Sequence, residues 1–233
     1  EYKTQGFFFS FIKRNIALSY ISSIVKEFDQ ITTTSKRMQK YFEFLFKRKL
    51  EVIPNGVDCN LFKPSSRVTR EKNLIVFVGK KEKGLRHILD LACSLPNYNF
   101  VIFGPITTND AKSESSQLEI PENIELRGFV DSKTLCEWYN KATYCIFPSE
   151  YDNFPLVGLE AMACGAIVIA GQRGFQEYID QRNGFTLRNI DSTKIKKVIQ
   201  SLDKIYNKNI IRKNAIRTAQ SYSWEKSIKA YEK

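Results

Sequence analysis

The sequence predicts an α/β fold with one doubly wound parallel sheet of the Rossmann type. Short apolar runs, typical of buried strands, alternate with longer amphipathic segments that are typical of helices. Alternation of this kind favours right-handed crossovers, which place helices on both faces of a single sheet. The 233 residues suffice to bury the core of one large domain, or of one domain and a fragment of another.

The chain begins with two helical patterns separated by a short strand. Apolar residues at helical spacing predict an amphipathic helix over Phe7–Phe28. Ile31–Thr34 is predicted to be a strand, and Ser35 is placed to cap a helix that runs to about Lys47. The polar, charged stretch Lys63–Asn73 is then predicted to be a linker.

The rest of the chain supplies the sheet and its helices. The predicted strands are Leu74–Val78, Phe100–Phe103, Ile124–Leu126, Tyr144–Phe147, Ala166–Ala170 and Gly184–Leu187. Helices are predicted to begin near Gly84, Ser132, Leu156, Ser192 and Trp224. The polar, turn-rich segment Thr107–Glu119 is expected to form an exposed excursion between two strands.

One stretch, Pro148–Gly165, joins two predicted strands and carries two acids. Asp152 lies in the loop, and Glu160 lies about one turn into a predicted helix, Leu156–Cys164, for which Pro155 is the expected first residue. Such loops lie at the carboxyl ends of parallel strands, where ligands bind. Ionised carboxylates accept hydrogen bonds, so this pair suits the hydroxyl groups of a sugar. The free N–H groups around Phe154–Val157 suit a phosphate.

A basic loop follows the first predicted strand of the sheet. Lys80, Lys81, Lys83 and Gly84 come directly after Gly79. Lysine charge beside a helix start can bind a diphosphate and stabilise it as it leaves. Lysines that are merely solvated are the alternative, but the downstream acids favour the phosphate role, with Lys83 ahead of Lys80. The chain's one histidine, His87, has no second histidine with which to share a metal, and we interpret it as a surface or packing residue.

Composition narrows the class of partner. The net charge of +11 indicates an acidic partner, for which a diphosphate and an anionic membrane face are candidates, although solvated surface charge is an equal alternative. The lysines are scattered and no nucleic-acid-binding motif is present, so no nucleic-acid partner is expected. No segment contains the 18–20 or so apolar residues that span a bilayer. The sequence has no initiating Met, which suggests that residues upstream have been removed.

The five cysteines have no spacing typical of a disulfide framework or a metal site. Four of them fall inside apolar segments, and we expect these four to be buried free thiols: Cys93, Cys136, Cys145 and Cys164. Free thiols favour reducing, cytoplasmic surroundings. Trp138 and Tyr139, on the helix predicted to begin at Ser132, are expected in the core.

The stretch Pro148–Gly165 resembles the donor-binding signature of retaining, nucleotide-sugar-dependent glycosyltransferases of the glycogen-synthase-like group, which have two facing Rossmann domains (the GT-B fold). The signature is an acid, seven residues, Glu, and then Ala-Met-Ala-Cys-Gly, and Asp152 stands where the family more often has Glu. Other segments match in the expected order over about residues 28–233: Val52–Asp58, Leu74–Gly79, Ile124–Val130, Gly174–Ile179 and Ser223–Glu225.

The resemblance implies a domain organisation and a set of roles. Residues 1–62 would be the tail of the acceptor-side domain with the interdomain segment, 63–73 the linker, 74–207 the donor-binding Rossmann domain, and 208–233 helices that cross back. Asp152 would contact the transferred sugar, Lys83 the departing diphosphate and Glu160 the ribose hydroxyls. The other implied donor-binding residues are Gly79, Lys80, Gly84, Phe129, Val130, Asn153, Phe154, Leu156 and Val157.

The resemblance also implies partners. They are a nucleotide-sugar donor, a glycan or lipid-linked acceptor, and the missing N-terminal domain, supplied by a longer protein or by a partner chain. No metal or other cofactor is expected, and the expected location is the cytoplasm, with peripheral contact at a membrane face as a further candidate. A sugar-nucleotide epimerase of related fold and an inactive binding or scaffold module are the alternatives. Alone, the chain is expected to bind donor without transferring sugar.

Overall fold

The computed structural model describes residues 20–116, 119–205 and 208–232, and the chain divides after Ile53 into two compact units. Residues 7–19 of the predicted first helix lie outside the described residues, and its described part is helical over residues 20–26 (α1). Residues 54–62, predicted as an interdomain segment, belong to the second unit. Within the described ranges, no helix has an apolar stretch long enough to cross a bilayer.

The first unit contains, after α1, the elements β1 (Thr32–Thr33), α2 (Lys36–Phe46) and β2 (Glu51–Val52). The two strands pair in parallel. Ser35 caps α2 as predicted, because its hydroxyl oxygen accepts a bond of 3.2 Å from the Met38 N–H. The helix ends at Lys47, whose φ of 53° places it in the left-handed region.

The second unit is built on a sheet of six parallel strands, which confirms the predicted fold class. The strands are β3 (Glu71–Val78), β4 (Asn99–Phe103), β5 (Ile124–Gly128), β6 (Ala142–Phe147), β7 (Ile167–Gly171) and β8 (Phe185–Leu187). Their order in the sheet is β5–β4–β3–β6–β7–β8. The chain thus builds one half of the sheet outward from β3 and the other half outward from β6, which is the doubly wound arrangement.

The helices cover both faces of this sheet. They are α3 (Leu85–Ser94), α4 (Thr108–Glu114), α5 (Ser132–Lys141), α6 (Leu156–Ala163), α7 (Gln172–Phe175), α8 (Ser192–Asp203), α9 (Asn209–Ser221) and α10 (Trp224–Tyr231). Successive strand residues face opposite sides, so that Val76 packs among α5, α6 and α9, whereas Ile75 and Phe77 pack against α3 and α8. Both faces of the sheet are therefore buried, as the continuous apolar strand runs predict.

The segment Thr107–Glu119 is largely exposed in its described part, as expected, and it contains a helix that was not predicted: Thr107 and Asp110 form a reciprocal capping box that starts α4. Expectations about three individual residues are wrong. Cys93 is exposed, since it lies on the outer face of α3, and Cys136 is only partly buried. Trp138 is only half-buried: its ring packs beside that of Phe103 (centroids 5.8 Å apart), and the cationic side chains of Arg127 and Lys141 also lie over it.

The segment predicted as a linker is firmly attached to the second unit. Asn140 on α5 donates to the carbonyl oxygen of Lys63 (3.0 Å) and accepts from the N–H of Ser65 (2.8 Å). Arg70 donates to the carbonyl oxygens of Tyr139, Ala142 and Cys164. Since those carbonyls lie at the ends of α5 and α6, this one guanidinium holds together the C-terminal ends of both helices.

Replacing this guanidinium should destabilise the second unit. Arg70→Met leaves three carbonyl oxygens without their donor, and we expect the free energy of unfolding to fall by about 3 kcal/mol. Chemical denaturation followed by circular dichroism measures the loss. The exposed Arg67 supplies the matched control, because Arg67→Met removes the same charge from the same segment and should change stability by less than about 0.5 kcal/mol. Equal losses of stability in the two variants would show that the Arg70 hydrogen bonds do not hold the two helix ends together.

Candidate functional site

A cleft of about 410 Å³ opens at the carboxyl ends of β3 and β6. Between these neighbouring strands the strand order reverses: the chain continues from β3 to β4 on one side and from β6 to β7 on the other. The loops that follow them therefore diverge, and ligands of open α/β sheets bind in the crevice that results. Six of the predicted site residues line this cleft: Gly79, Lys80, Lys83, Asp152, Leu156 and Val157.

The cleft contains an ion pair between two predicted site residues. Lys83 ends a short 3₁₀ turn after β3, and its ammonium donates to Asp152 Oδ1 (2.6 Å) and to the Tyr151 carbonyl oxygen (3.2 Å). An ammonium group has three N–H donors, so these two bonds leave one for a ligand. The side chain of Lys83 is 40% exposed and can present that third donor to the cleft.

Close packing of the backbone fixes the Asp152 loop. The N–H of Asp152 donates to the Arg173 carbonyl oxygen (3.2 Å), and Gly174 follows with a φ of 96°. A Cβ at Gly174 would lie only 2.5 Å from the Asp152 carbonyl oxygen, so no other residue fits without displacing this loop. Gly84, with a φ of 95°, similarly lets the loop after β3 approach the Pro148 carbonyl oxygen. The two loops that carry Lys83 and Asp152 are therefore held against each other and against α7.

The N-terminus of α6 faces the cleft. Pro155 is the N-cap and not, as predicted, the first helical residue, while Gly165 ends the turn after the helix with the expected positive φ of 76°. The first N–H groups of a helix, here at Leu156 and Val157, have no partner within the helix and can bind an anion. The Tyr178 hydroxyl donates to the Pro155 carbonyl oxygen (2.5 Å), which fixes the direction of this helix end.

The second predicted acid, Glu160, lies one turn further along α6 and is not among the cleft-lining residues. It is half-buried, and its Oε2 accepts a long bond of 3.4 Å from the hydroxyl of Tyr139 on α5. Burial raises the pKa of Glu160 from 4.5 to about 7, and the bond from Tyr139 opposes that rise. Near neutral pH the carboxyl group is therefore close to half ionised.

The remaining predicted residues lie apart from the cleft lining. Gly84 borders a separate groove of about 230 Å³ that also contains Lys81 and His87. Asn153 is exposed, and the ring of Phe154 is buried against other aromatic rings. Phe129 (79% exposed) and the half-buried Val130 follow β5, two strands and thus about 10 Å from β3.

Sequence reasoning missed the apolar wall of the cleft. The rings of Phe147 and Phe175 stack at 5.7 Å with an interplanar angle of 11°, and both line the cleft together with Phe77. The sequence pattern predicts only a strand at Phe147, and it does not predict the short helix α7 that carries Phe175. Among the described residues, no group of three or more His, Cys, Asp or Glu side chains could hold a metal.

Solved structures share this fold at low sequence identity. Sucrose-phosphate synthase from Thermosynechococcus elongatus aligns with a TM-score of 0.80 and 22% identity, over 94% of this chain and 60% of that one. HepE from Anabaena, solved with UDP and glucose, aligns with a TM-score of 0.80 and 19% identity, over 92% and 65%. At these identities the likeness establishes the fold alone.

Curated relatives carry the sequence similarity. An uncharacterised glycosyltransferase of Methanocaldococcus jannaschii is 28% identical over 91% of this chain and 60% of its own length. A D-inositol 3-phosphate glycosyltransferase of Arthrobacter sp. (strain FB24) is 26% identical over 76% of this chain and 48% of its own length. The chain thus spans about half to three fifths of these relatives. The family described as glycosyl transferases group 1 matches residues 60–222, which is well over half of the sequence. The chain therefore belongs to the group 1 glycosyltransferases.

Proposed function

We propose that this chain is the donor-binding part of a retaining glycosyltransferase, which moves a sugar from a nucleoside diphosphate to a glycan, lipid or other acceptor. The observation that carries the proposal is the cleft between β3 and β6, where the strand order reverses and a lysine, an acid and the N-terminus of α6 converge. Cationic and N–H donors suit the diphosphate, and carboxylates suit the sugar hydroxyls. The retaining outcome rests on the sequence resemblance.

The proposed mechanism uses differential binding. Negative charge accumulates on the diphosphate as the bond to the sugar breaks. The ammonium of Lys83 and the N–H groups of Leu156 and Val157 would bind the departing group more tightly than the intact donor, and that difference accelerates the reaction. Asp152 would orient the sugar ring, and Glu160 would accept hydrogen bonds from the ribose. The stacked rings of Phe147 and Phe175 would exclude water from one side of the reacting bond.

The acceptor side of the reaction is assigned to residues outside this sequence. The chain spans about 60% of its M. jannaschii relative, and the first unit contributes only 53 residues. We therefore assign sugar transfer to the longer protein or to an assembly with a partner chain, and assign donor binding to this chain. The expected surroundings are cytoplasmic.

A thermal-shift panel tests donor binding. Uridine, guanosine and adenosine diphosphates and their glucose conjugates are each tested at 1 mM. At least one of them, with a dissociation constant of about 10 μM, should stabilise the fold by about 2.7 kcal/mol. For a chain of this length, that corresponds to a rise in Tm of roughly 5–10 °C. Uridine diphosphate is the first choice because HepE was solved with it. Nucleoside monophosphates serve as controls and should shift Tm less. If no diphosphate changes Tm, the proposal is wrong.

A further inference from the structure

The hydroxyl of Tyr139 is buried in an otherwise apolar seam between α5 and α6. Its residue is 0% exposed, and its ring packs against Phe62 with centroids 6.1 Å apart. Its backbone carbonyl is held by Arg70. The same two helices also meet at Cys136 and Cys164, whose sulfur atoms are 3.7 Å apart. The tyrosine is thus fixed at its backbone and its ring, and only its hydroxyl points to a polar partner.

That partner is the carboxylate of Glu160. Burying a hydroxyl without an acceptor costs free energy, and phenylalanine would fill the same apolar seam without that cost. Within the described ranges, the 3.4 Å bond to Glu160 Oε2 is the only hydrogen bond that this hydroxyl makes. The buried hydroxyl therefore serves the carboxylate rather than the packing of the seam.

We propose that Tyr139 is a positioning residue, which holds the Glu160 carboxylate ionised and oriented towards the bound donor. The inference rests on the proposed function, in which Glu160 accepts hydrogen bonds from the donor. Tyr139 itself is fully buried and is not among the residues that line the cleft, so it would touch no ligand there. It would act only through Glu160, by donating to the oxygen that the donor does not use.

The groups around Glu160 determine how much its ionisation depends on the bond from Tyr139. Tyr139 faces it from α5, and the buried hydroxyl of Tyr178 faces it from the segment after α7. The carboxylate of Asp152 also interacts electrostatically with that same phenol. Burial opposes ionisation of Glu160, and the Tyr139 bond is the contact that favours it.

The test is the pH dependence of uridine diphosphate binding to the whole chain with Tyr139→Phe. Loss of the hydroxyl should raise the pKa of Glu160 by about one unit. If the protonated carboxyl binds about tenfold more weakly than the ionised one, calorimetric titration from pH 6 to 9 should give a dissociation constant roughly threefold weaker than wild type at pH 7 and within twofold of it at pH 6 and at pH 9. The ratio of the two constants is used because the ligand's own titration cancels in it. The inference is overturned if the ratio of the two constants equals 1 at every pH, or if it stays constant across the pH range.

Two controls separate the positioning role from general damage. Tyr144→Phe removes an equally buried hydroxyl that donates to Asp203 on the opposite face of the sheet, and its ratio should stay near one at every pH. In a Glu160→Gln background, Tyr139→Phe should have no further pH-dependent effect, because the group through which it acts is gone. If Tyr139→Phe retains its pH-dependent effect there, Glu160 is not the intermediary. Absence of binding by the wild-type chain would instead contradict the proposed function itself.

Discussion

Lys83→Ala should weaken the binding of uridine diphosphate by about tenfold to a hundredfold. The ammonium of Lys83 reaches the cleft with one N–H still available, and a hydrogen bond to a charged group contributes about 1.5–3 kcal/mol. Lys83 also holds the Asp152 carboxylate, so its loss leaves that negative charge unpaired beside the incoming phosphates. Both effects act in the same direction. Calorimetric titration at pH 8 and constant salt measures the change in dissociation constant.

Lys81 provides the matched control for this prediction. It lies two residues away in the same loop, but its ammonium pairs with Glu114 (3.3 Å) and bonds the Ser113 hydroxyl (3.0 Å), in the groove that contains Gly84 and His87. Lys81→Ala removes the same charge from nearly the same place, and we expect affinity to change less than twofold. If both variants lose affinity equally, the net charge of the surface binds the nucleotide, and the specific role of Lys83 is wrong.

Much of the fold could be predicted because its signals are local. The central strands are buried on both faces, so each appears as an apolar run, whereas the edge strands β5 and β8 are only partly buried. The six predicted strands of the sheet match the observed ones closely. The helix α4 was missed because only Ala111 is buried, so the segment has no apolar stripe. A capping box marks its start. The early start of β3, at Glu71, was missed because its first three residues are polar and exposed.

The candidate site could be predicted only in part, because its geometry depends on contacts between distant segments. The sequence pattern favours Lys83 over Lys80 for the phosphate role but does not show where the side chains point, and tertiary structure places Lys83 in the cleft and Lys81 in a separate groove. Asp152 and Lys83 are 69 residues apart and meet only because β3 and β6 are neighbours in the sheet. The burial of Glu160 depends on how α5 packs on α6, which no local pattern encodes.

Glu160→Gln should abolish most of the donor affinity while stabilising the fold at alkaline pH. If the ionised carboxylate accepts hydrogen bonds from the ribose hydroxyls, the neutral amide removes a charge-assisted contact, and affinity at pH 8 should fall by about tenfold or more. Wild-type affinity should itself weaken as the pH falls below about 7, where Glu160 takes up a proton, whereas the variant should lack this step. Titration of uridine diphosphate at several pH values distinguishes the two profiles.

The stability effect has the opposite sign, and it follows from the raised pKa of Glu160. The pKa is 4.5 in the unfolded chain and about 7 in the folded one, so the folded state binds the proton more tightly. Below pH 4.5 both states are protonated and there is no penalty. Between pH 4.5 and 7 the unfolded chain loses this proton while the folded chain keeps it, so stability falls by about 1.36 kcal/mol per pH unit. Above pH 7 both states are ionised, and the cost levels off at about 3 kcal/mol at most.

The amide of Gln pays no such cost and can still accept from Tyr139, so Glu160→Gln should raise the free energy of unfolding at pH 8 by about 1–3 kcal/mol and leave it nearly unchanged at pH 4.5. Chemical denaturation at both pH values measures the difference. A fold stabilised by removing Glu160 retains this acid at the expense of stability, as expected for a residue that serves ligand binding. A variant that binds donor normally and is no more stable at pH 8 would show that Glu160 is an ordinary solvated helix residue.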